Sequence, residues 1–477
     1  MESKSPSDNP KNESKLIGLS ILERGDYGPH FDTHNKKIMI LDSNLPRKVS
    51  PEILKGFATD FARSISGAGT SLLRVLFGTV VFYLNEKGLW LFRSVDGTKP
   101  IFYSKEKGIL AFATERKGLW KAGFKQSDRI QPGFALRADW TGNILVSRVT
   151  HRYRELNLQR CFKSEIVSQL KMSLTKSFEK LSSQKCAILF SGGIDSSLAA
   201  LLADRIADQV ILVTAKAEGS HDARAAVKAA DILGMNHFEV EVDEKTVWNV
   251  LPRIIYSIET TDKMDVEIAI PIFLSTLEAA KRGYEIIVSG QGPDELFGGY
   301  YRYLEMYDPE NPAKLIEEIN SDISSTYRRN IERDEMAIAN SGGNAFFPYL
   351  STDFVELALA APISYKISPD DKPSRKRILR ELALSMGLPL ELASVPKKAT
   401  QYSSGSSNIL VDSVRNNVPN LSDFGRNRAG RRVQEVLDAI GYKLGVPSTR
   451  EGQSSLEIDM TATDTFLKDL ESEISID

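Results

Sequence analysis

Seven consecutive residues, Ser191-Gly192-Gly193-Ile194-Asp195-Ser196-Ser197, gather the groups that a polyphosphate needs. Glycines let backbone N–H groups approach an anion with no Cβ in the way, and serine hydroxyls add donors. A helix opening near Asp195 would add unpaired N–H groups and its positive dipole end. The string is not a GxxxxGK[ST] loop, because no lysine follows the glycines to hold a γ-phosphate. Pyrophosphate is therefore a better guest than a transferring γ-phosphoryl group. A serine-capped turn would explain Ser-Gly-Gly alone, but not the whole string behind an apolar run.

A second cluster, Ser289-Gly290-Gln291-Gly292-Pro293-Asp294-Glu295-Leu296-Phe297-Gly298-Gly299-Tyr300, also follows an apolar run. It fails the dinucleotide pattern GxGxxG, since Glu295 stands where the third glycine belongs and would repel pyrophosphate. Asp195 and Asp294, one on each cluster, make sense together if Mg²⁺ bridges them to a triphosphate, because this hard cation selects oxygen ligands. Taken singly, Asp195 has the ordinary reading of a helix N-terminal carboxylate, worth about 0.3–1 kcal/mol, and Asp294 that of a turn residue.

The surrounding pattern says what positions these groups. Residues 186–190 (CAILF) read as a buried strand, 195–207 as a helix with Leu198, Leu201, Leu202 and Ile206 on one face, and 209–215 (QVILVTA) as a strand. A helix over 221–233, a strand over 237–242, helical stretches to about residue 281 and a strand over 284–289 follow. Such alternation predicts an α/β fold with a parallel sheet covered on both faces. Ligands bind beyond the carboxyl ends of such strands, so the two turns can converge on one site. Beyond residue 300 amphipathic helix dominates, as in SRKRILRELALSMG, where Ile378, Leu379, Leu382 and Met386 form a stripe.

Residues 16–150 differ. Their apolar runs are short, β-branched or aromatic, and separated by NEKG, DGTKP and KEKG, which predicts a smaller, strand-rich α+β domain. The polar residues 1–15 and the acidic residues 448–477 read as tails, leaving 151–447 as the nucleotide-binding domain. A chain of 477 residues with 61 basic against 63 acidic side chains is an ordinary globular protein, not a nucleic-acid coat. No run approaches the ~20 apolar residues of a membrane span, and the first residues lack a signal-peptide core. Cys161 and Cys186 stand apart, without metal-binding spacing. The expectation is a cytoplasmic protein with no nucleic-acid or membrane partner.

At SGGIDSS and SGQGPDELFGGY the chain resembles the asparagine synthetase family, whose second signature reads SGEGSDEVFGGY. The resemblance extends over about 290 residues, through KAEGSHDARAAVKAADILGMNHFEVEV and IETTDKMDVEIAIPIFL. It implies an adenine-nucleotide α-hydrolase-type synthetase domain preceded by a glutaminase-like, Ntn-type domain. It also implies ATP-dependent activation of the aspartate β-carboxylate, with ammonia attacking the acyl-adenylate and Mg²⁺ as cofactor. By that resemblance Glu259 matches a glutamate that removes a proton from the attacking amine, and Lys397 or Lys398 in PKKATQYSSG matches the catalytic lysine. Phe190, Thr214, Ala215, Ser289 and Gly290 are then expected around adenine and ribose, although each could equally be core.

The chain departs from the family in three places. The family's glutaminase half begins with a nucleophilic cysteine after the initiator, whereas position 2 is Glu2, so glutamine hydrolysis there is expected to be absent. The rest of that half remains recognisable in FRSVDGTKPIFY and ATERKGL, but the glutamine-binding NGEIYN segment has no counterpart. The segment Phe346-Phe347-Pro348-Tyr349-Leu350-Ser351 lacks the arginine and aspartate of the family's R-x-P-F-L-D, which puts amino-acid recognition in question. The leading reading is asparagine synthesis from aspartate, or a similar carboxylate, with free ammonia or ammonia from a separate glutaminase subunit. Closure of a β-lactam or macrolactam by an internal amine, or a catalytically silent nucleotide-binding scaffold, are the alternatives, and a homodimer is left open.

Overall fold

A computed structural model describes residues 30–32, 37–43, 78–85, 87–150, 152–217, 221–371, 373–395, 405–448, 454 and 456–474. The expected tail 1–15, Glu2 and the lysine pair Lys397 and Lys398 lie outside them. The chain divides after His151 into two compact units. Among the described residues no helix is long and apolar enough to cross a membrane.

The first unit is built of antiparallel strands. β1 (His30–Asp32), β2 (Lys37–Ser43), β3 (Thr79–Asn85) and β4 (Gly88–Arg93) are followed by β5 (Phe102–Glu106) and β6 (Ile109–Ala113). Helix α1 (Arg116–Lys121) and strands β7 (Asp128–Arg129), β8 (Phe134–Ala138) and β9 (Ile144–Arg148) complete it. A six-stranded sheet runs β1-β2-β3-β4-β8-β9 and a three-stranded sheet β6-β5-β7. Val80, Leu89, Leu91, Ile101, Phe112 and Leu136 form one buried cluster. The turn after β4 buries charge: Arg93 donates from Nη1 to Ile130 O at 3.1 Å and from Nη2 to Gly97 O at 2.6 Å. Asp96, 1% exposed, accepts from Gly78 N at 3.1 Å, from Thr98 N at 3.0 Å and from the Thr98 hydroxyl.

The second unit opens with α2 (Lys163–Phe178) and then winds in βα order. The order is β10 (Lys185–Leu189), α3 (Ile194–Ile206), β11 (Gln209–Ala217), α4 (His221–Leu233), β12 (His237–Val242), α5 (Glu244–Ile258) and α6 (Lys263–Lys281). Strand β13 (Ile286–Val288), the short helix α7 (Pro293–Leu296), α8 (Glu332–Ala339) and β14 (Asn344–Phe346) follow. All five strands are parallel, in the order β12-β11-β10-β13-β14. The apolar runs of β10 and β13 are buried because helices cover both faces, as the alternation predicts. The order reverses between β10 and β13, and a crevice opens at such a switch point beyond the strand ends.

Two sequence expectations need correction. The strand predicted over 284–289 is shorter, because Tyr284 N bonds back to Ala279 O at 3.0 Å and closes the end of α6. Residues 448–477, expected as a tail, include α12 (Thr461–Ile474). Its Phe466 ring lies 5.6 Å from Tyr256 of α5, and Asp464 pairs at 2.5 Å with Lys443 on α11 (Val433–Lys443); α9 (Arg377–Ser385) and α10 (Ser406–Asn417) precede that helix. Acidic composition hid a stripe of Thr463, Phe466, Leu467 and Leu470 at helical spacing, the face turned inward.

Candidate functional site

The two glycine-containing turns leave adjacent strands at the switch point. Phe190 N still donates to Val213 O at 2.9 Å, so the ladder runs to the edge of the turn before the chain bends away. Gly192, at φ 70°, brings its backbone against α4: a Cβ there would lie 2.6 Å from Ala225 O. Gly193 caps α3 with extended backbone. The hydroxyls of Ser191 and Ser196 lie 3.3 Å apart, Ser191 N donates to Ser196 Oγ at 3.3 Å, and Ser196 Oγ donates to Gly193 O at 3.2 Å. The turn is held in shape by its own hydroxyls.

A cleft of about 160 Å³ opens where these turns meet. Phe190, Ser191, Asp195, Ser196, Thr214, Ala215, Ser289, Gly290 and Asp294 all line it, so most of the residues singled out by sequence share one wall. Gly192, Gly193 and Ser197 are not among its lining residues. Ser197 is fully buried and its hydroxyl has no hydrogen-bond partner. Thr214 is committed within the sheet: its hydroxyl donates to Phe190 O at 2.6 Å and sits 2.8 Å from His237 Nε2. Its single proton serves the carbonyl, so the imidazole brings the proton on Nε2. Burial holds His237 below its ordinary pKa, which keeps the ring neutral.

Glu259 is not among the lining residues. It caps the C-terminal end of α5 in the left-handed region, φ 58°, and is 3% exposed. Two residues on, the Thr261 hydroxyl donates to Asp438 Oδ1 of α11 at 2.6 Å, which turns this bend toward the C-terminal helices.

Sequence reasoning missed Lys376. Read as part of an amphipathic helix, it is instead the fully buried cap of α9, strained at φ 56°. Its Nζ lies 2.5 Å from Asp195 Oδ2 and 2.7 Å from Asp294 Oδ1, so an ammonium joins the two carboxylates for which a bridging cation was expected. Gly299 makes room: a Cβ there would stand 2.0 Å from Asp294 Oδ1 and 2.4 Å from Lys376 Cε. Arg375 donates to Gly299 O at 2.6 Å, tying the two segments together. Tyr349 donates from its hydroxyl to Asp195 O at 2.8 Å, so the divergent segment braces the start of α3. Phe346 is fully buried with its ring 6.1 Å from Phe178.

The donor set still fits a hard cation. Asp195 Oδ1 is buried without a hydrogen-bond partner, and leaving a carboxylate oxygen so costs free energy unless something cationic reaches it. With one ammonium against two carboxylates, the pair retains negative charge.

The asparagine synthase family model matches residues 169–320 and 307–439, more than half of the 477 residues. A Methanocaldococcus jannaschii protein, a candidate glutamine-hydrolyzing asparagine synthetase by its name, is 28% identical over 422 residues, 78% of this chain and 76% of that protein. The human glutamine-hydrolyzing asparagine synthetase is 27% identical over 413 residues, 80% of this chain and 71% of its own length. The solved NMN synthetase from Francisella tularensis aligns with 62% of this chain and 99% of its own at 12% identity and TM-score 0.28.

Proposed function

The chain belongs to the asparagine synthase family and is an ATP-dependent ligase; on that premise we propose that it makes an amide from aspartate through an acyl-adenylate. The observation that supports it is the switch-point cleft lined by Ser191, Asp195, Ser196 and Asp294, whose two carboxylates Lys376 joins. In the reaction a carboxylate oxygen attacks the α-phosphorus, the bond to the β-phosphate oxygen breaks, and pyrophosphate leaves. Ammonia then attacks the acyl carbon and AMP leaves with the bonding electrons. Ammonia comes from solution or from a separate glutaminase subunit.

The chain's own groups do the positioning. Ser191 and the N-terminal amides of α3 receive the departing pyrophosphate, where fixed donors stabilise charge that grows as the bond breaks. Asp195 and Asp294 would hold Mg²⁺, which would supply Lewis-acid charge neutralisation at the phosphates. Lys376 fixes both carboxylates from behind. The apolar wall of Ile268, Pro271 and Ile272 suits the adenine ring and keeps water from the reactive acyl-adenylate. Glu259 remains proposed as the proton acceptor, and Lys397 or Lys398 as the catalytic lysine.

Protein incubated with ATP, Mg²⁺, aspartate and ammonium should yield AMP, pyrophosphate and asparagine, whereas glutamine in place of ammonium should yield none. ADP as the product would overturn this reading. A second reading keeps adenylation but lets an internal amine close a ring. It is favoured by Phe346, packed against Phe178 where the family carries the arginine suited to a carboxylate.

A further inference from the structure

One stretch of the cleft wall has no role so far. Gln291, three residues before Asp294, donates from Nε2 to Asp334 Oδ2 at 2.8 Å, and both residues line the cleft. Asp334 belongs to α8, whose opening sequence Glu332-Arg333-Asp334-Glu335 resembles a solvated charge run but is buried throughout. Arg333 holds the other Asp334 oxygen, Oδ1, from Nε at 2.8 Å and from Nη2 at 2.7 Å, and reaches Asp265 Oδ1 from Nη1 at 3.1 Å. Within this bonded group two carboxylates meet one guanidinium, and Gln291 adds no charge. Burial outweighs the guanidinium's attraction and holds Asp265 above the usual carboxylate range. Among the described residues that line the cleft there is neither lysine nor arginine. Asp334 thus lines the cleft with both oxygens oriented, Oδ1 by Arg333 and Oδ2 by Gln291.

Resting on the acyl-adenylate reading, we propose that Asp334, oriented by Gln291 and Arg333, binds a cationic amino group on the carboxylic acid that is activated. The acid is thus recognised through its ammonium end by Asp334, and not through a second carboxylate held by a cleft-lining arginine. A site arranged around a charged donor discriminates strongly against an analogue lacking it, because its buried acceptor is then left unpaired.

The test is ATP–pyrophosphate exchange with matched acids that differ only in the amino group: aspartate against succinate, glutamate against glutarate, and β-alanine against propionate. Unaltered protein should favour the amino member of the active pair by about 100-fold, and Asp334→Asn should reduce that preference to within about 5-fold, mainly through the KM for the acid. The KM for ATP should change little in Asp334→Asn, and Asp265→Asn, one step behind the wall, should keep most of the preference. An unchanged preference in Asp334→Asn overturns the proposal. So does a rise in the KM for ammonium with the preference intact, because Asp334 would then serve the incoming amine. Equal loss of preference in Asp265→Asn and Asp334→Asn, with matching falls in thermal midpoint, would make the network structural and also overturn it. If no acid supports exchange, the adenylation reading fails separately. Calorimetric titration of the same pairs onto protein loaded with the α,β-methylene analogue of ATP then decides the proposal. Amino-dependent binding that is lost in Asp334→Asn sustains it, and equal binding in both proteins, or none, overturns it.

Discussion

Arg93 and Asp96 in the first unit, and Asp195, Asp294 and Lys376 in the second, are charged groups withdrawn from water beside glycine-containing turns, yet their bonds end in different places. Arg93 and Asp96 bond to the backbone and hydroxyl of the same turn and its neighbours: Ile130 O, Gly97 O, Gly78 N and Thr98. Around Lys376 an ammonium joins two carboxylates whose residues line the cleft, and Asp195 Oδ1 is buried without a hydrogen bond. A buried charge whose bonds return to its own turn serves the fold. One that leaves a buried oxygen unpaired beside a cavity keeps a place for something that arrives later.

The sharpest way to break this contrast is Lys376→Met. It strips the cation from two buried carboxylates, so we expect adenylation to fall at least ~10³-fold and stability to drop by about 3–5 kcal/mol, read by pyrophosphate release and denaturant unfolding. Asp195→Asn should cost about 10²–10³-fold in pyrophosphate release with the fold retained, a separation that a purely structural carboxylate would not give. Asp96→Ala should do the reverse: a loss of about 2–4 kcal/mol confined to the first unit by hydrogen exchange, with the synthetase rate per folded molecule unchanged. A fall in that rate would mean the closed network also serves chemistry.

The smallest expected effect is a titration. Glu295 is 2% exposed, and burial, reinforced by neighbouring Asp294, pushes its carboxyl up to about 7. Because the folded pKa lies above the unfolded one, the folded protein holds more protons between about pH 4.5 and 7, and this group's contribution to stability is present below that window and lost as pH rises through it. Glu295→Gln keeps an acceptor for the Tyr300 hydroxyl at 2.7 Å and Asn330 Nδ2 at 3.0 Å while removing the proton. Between pH 5 and 8 the parent should therefore lose on the order of 1–3 kcal/mol relative to the variant. Parallel stability curves would show that Glu295 titrates normally.

The order of strands and helices in the second unit is legible because a parallel sheet buried on both faces writes unbroken apolar runs, such as CAILF, between amphipathic helices. The meeting of the two turns follows from that order. Lys376 was illegible because nothing local distinguishes it from Arg375 and Arg377: its burial depends on Gly299, seventy-seven residues earlier, leaving space for its stem. Asp334 was hidden for the opposite reason, since a run of four charges ordinarily marks a wet surface and here lies inside. The acidic segment carrying α12 misled in the same way, with composition outvoting a four-residue stripe.

Phe346 also bears on how the second unit could be altered. Its ring lies buried beside Phe178, so an arginine at this position would force a guanidinium into hydrocarbon. Accepting that side chain would require its neighbours to loosen first, so the position resists charge by crowding.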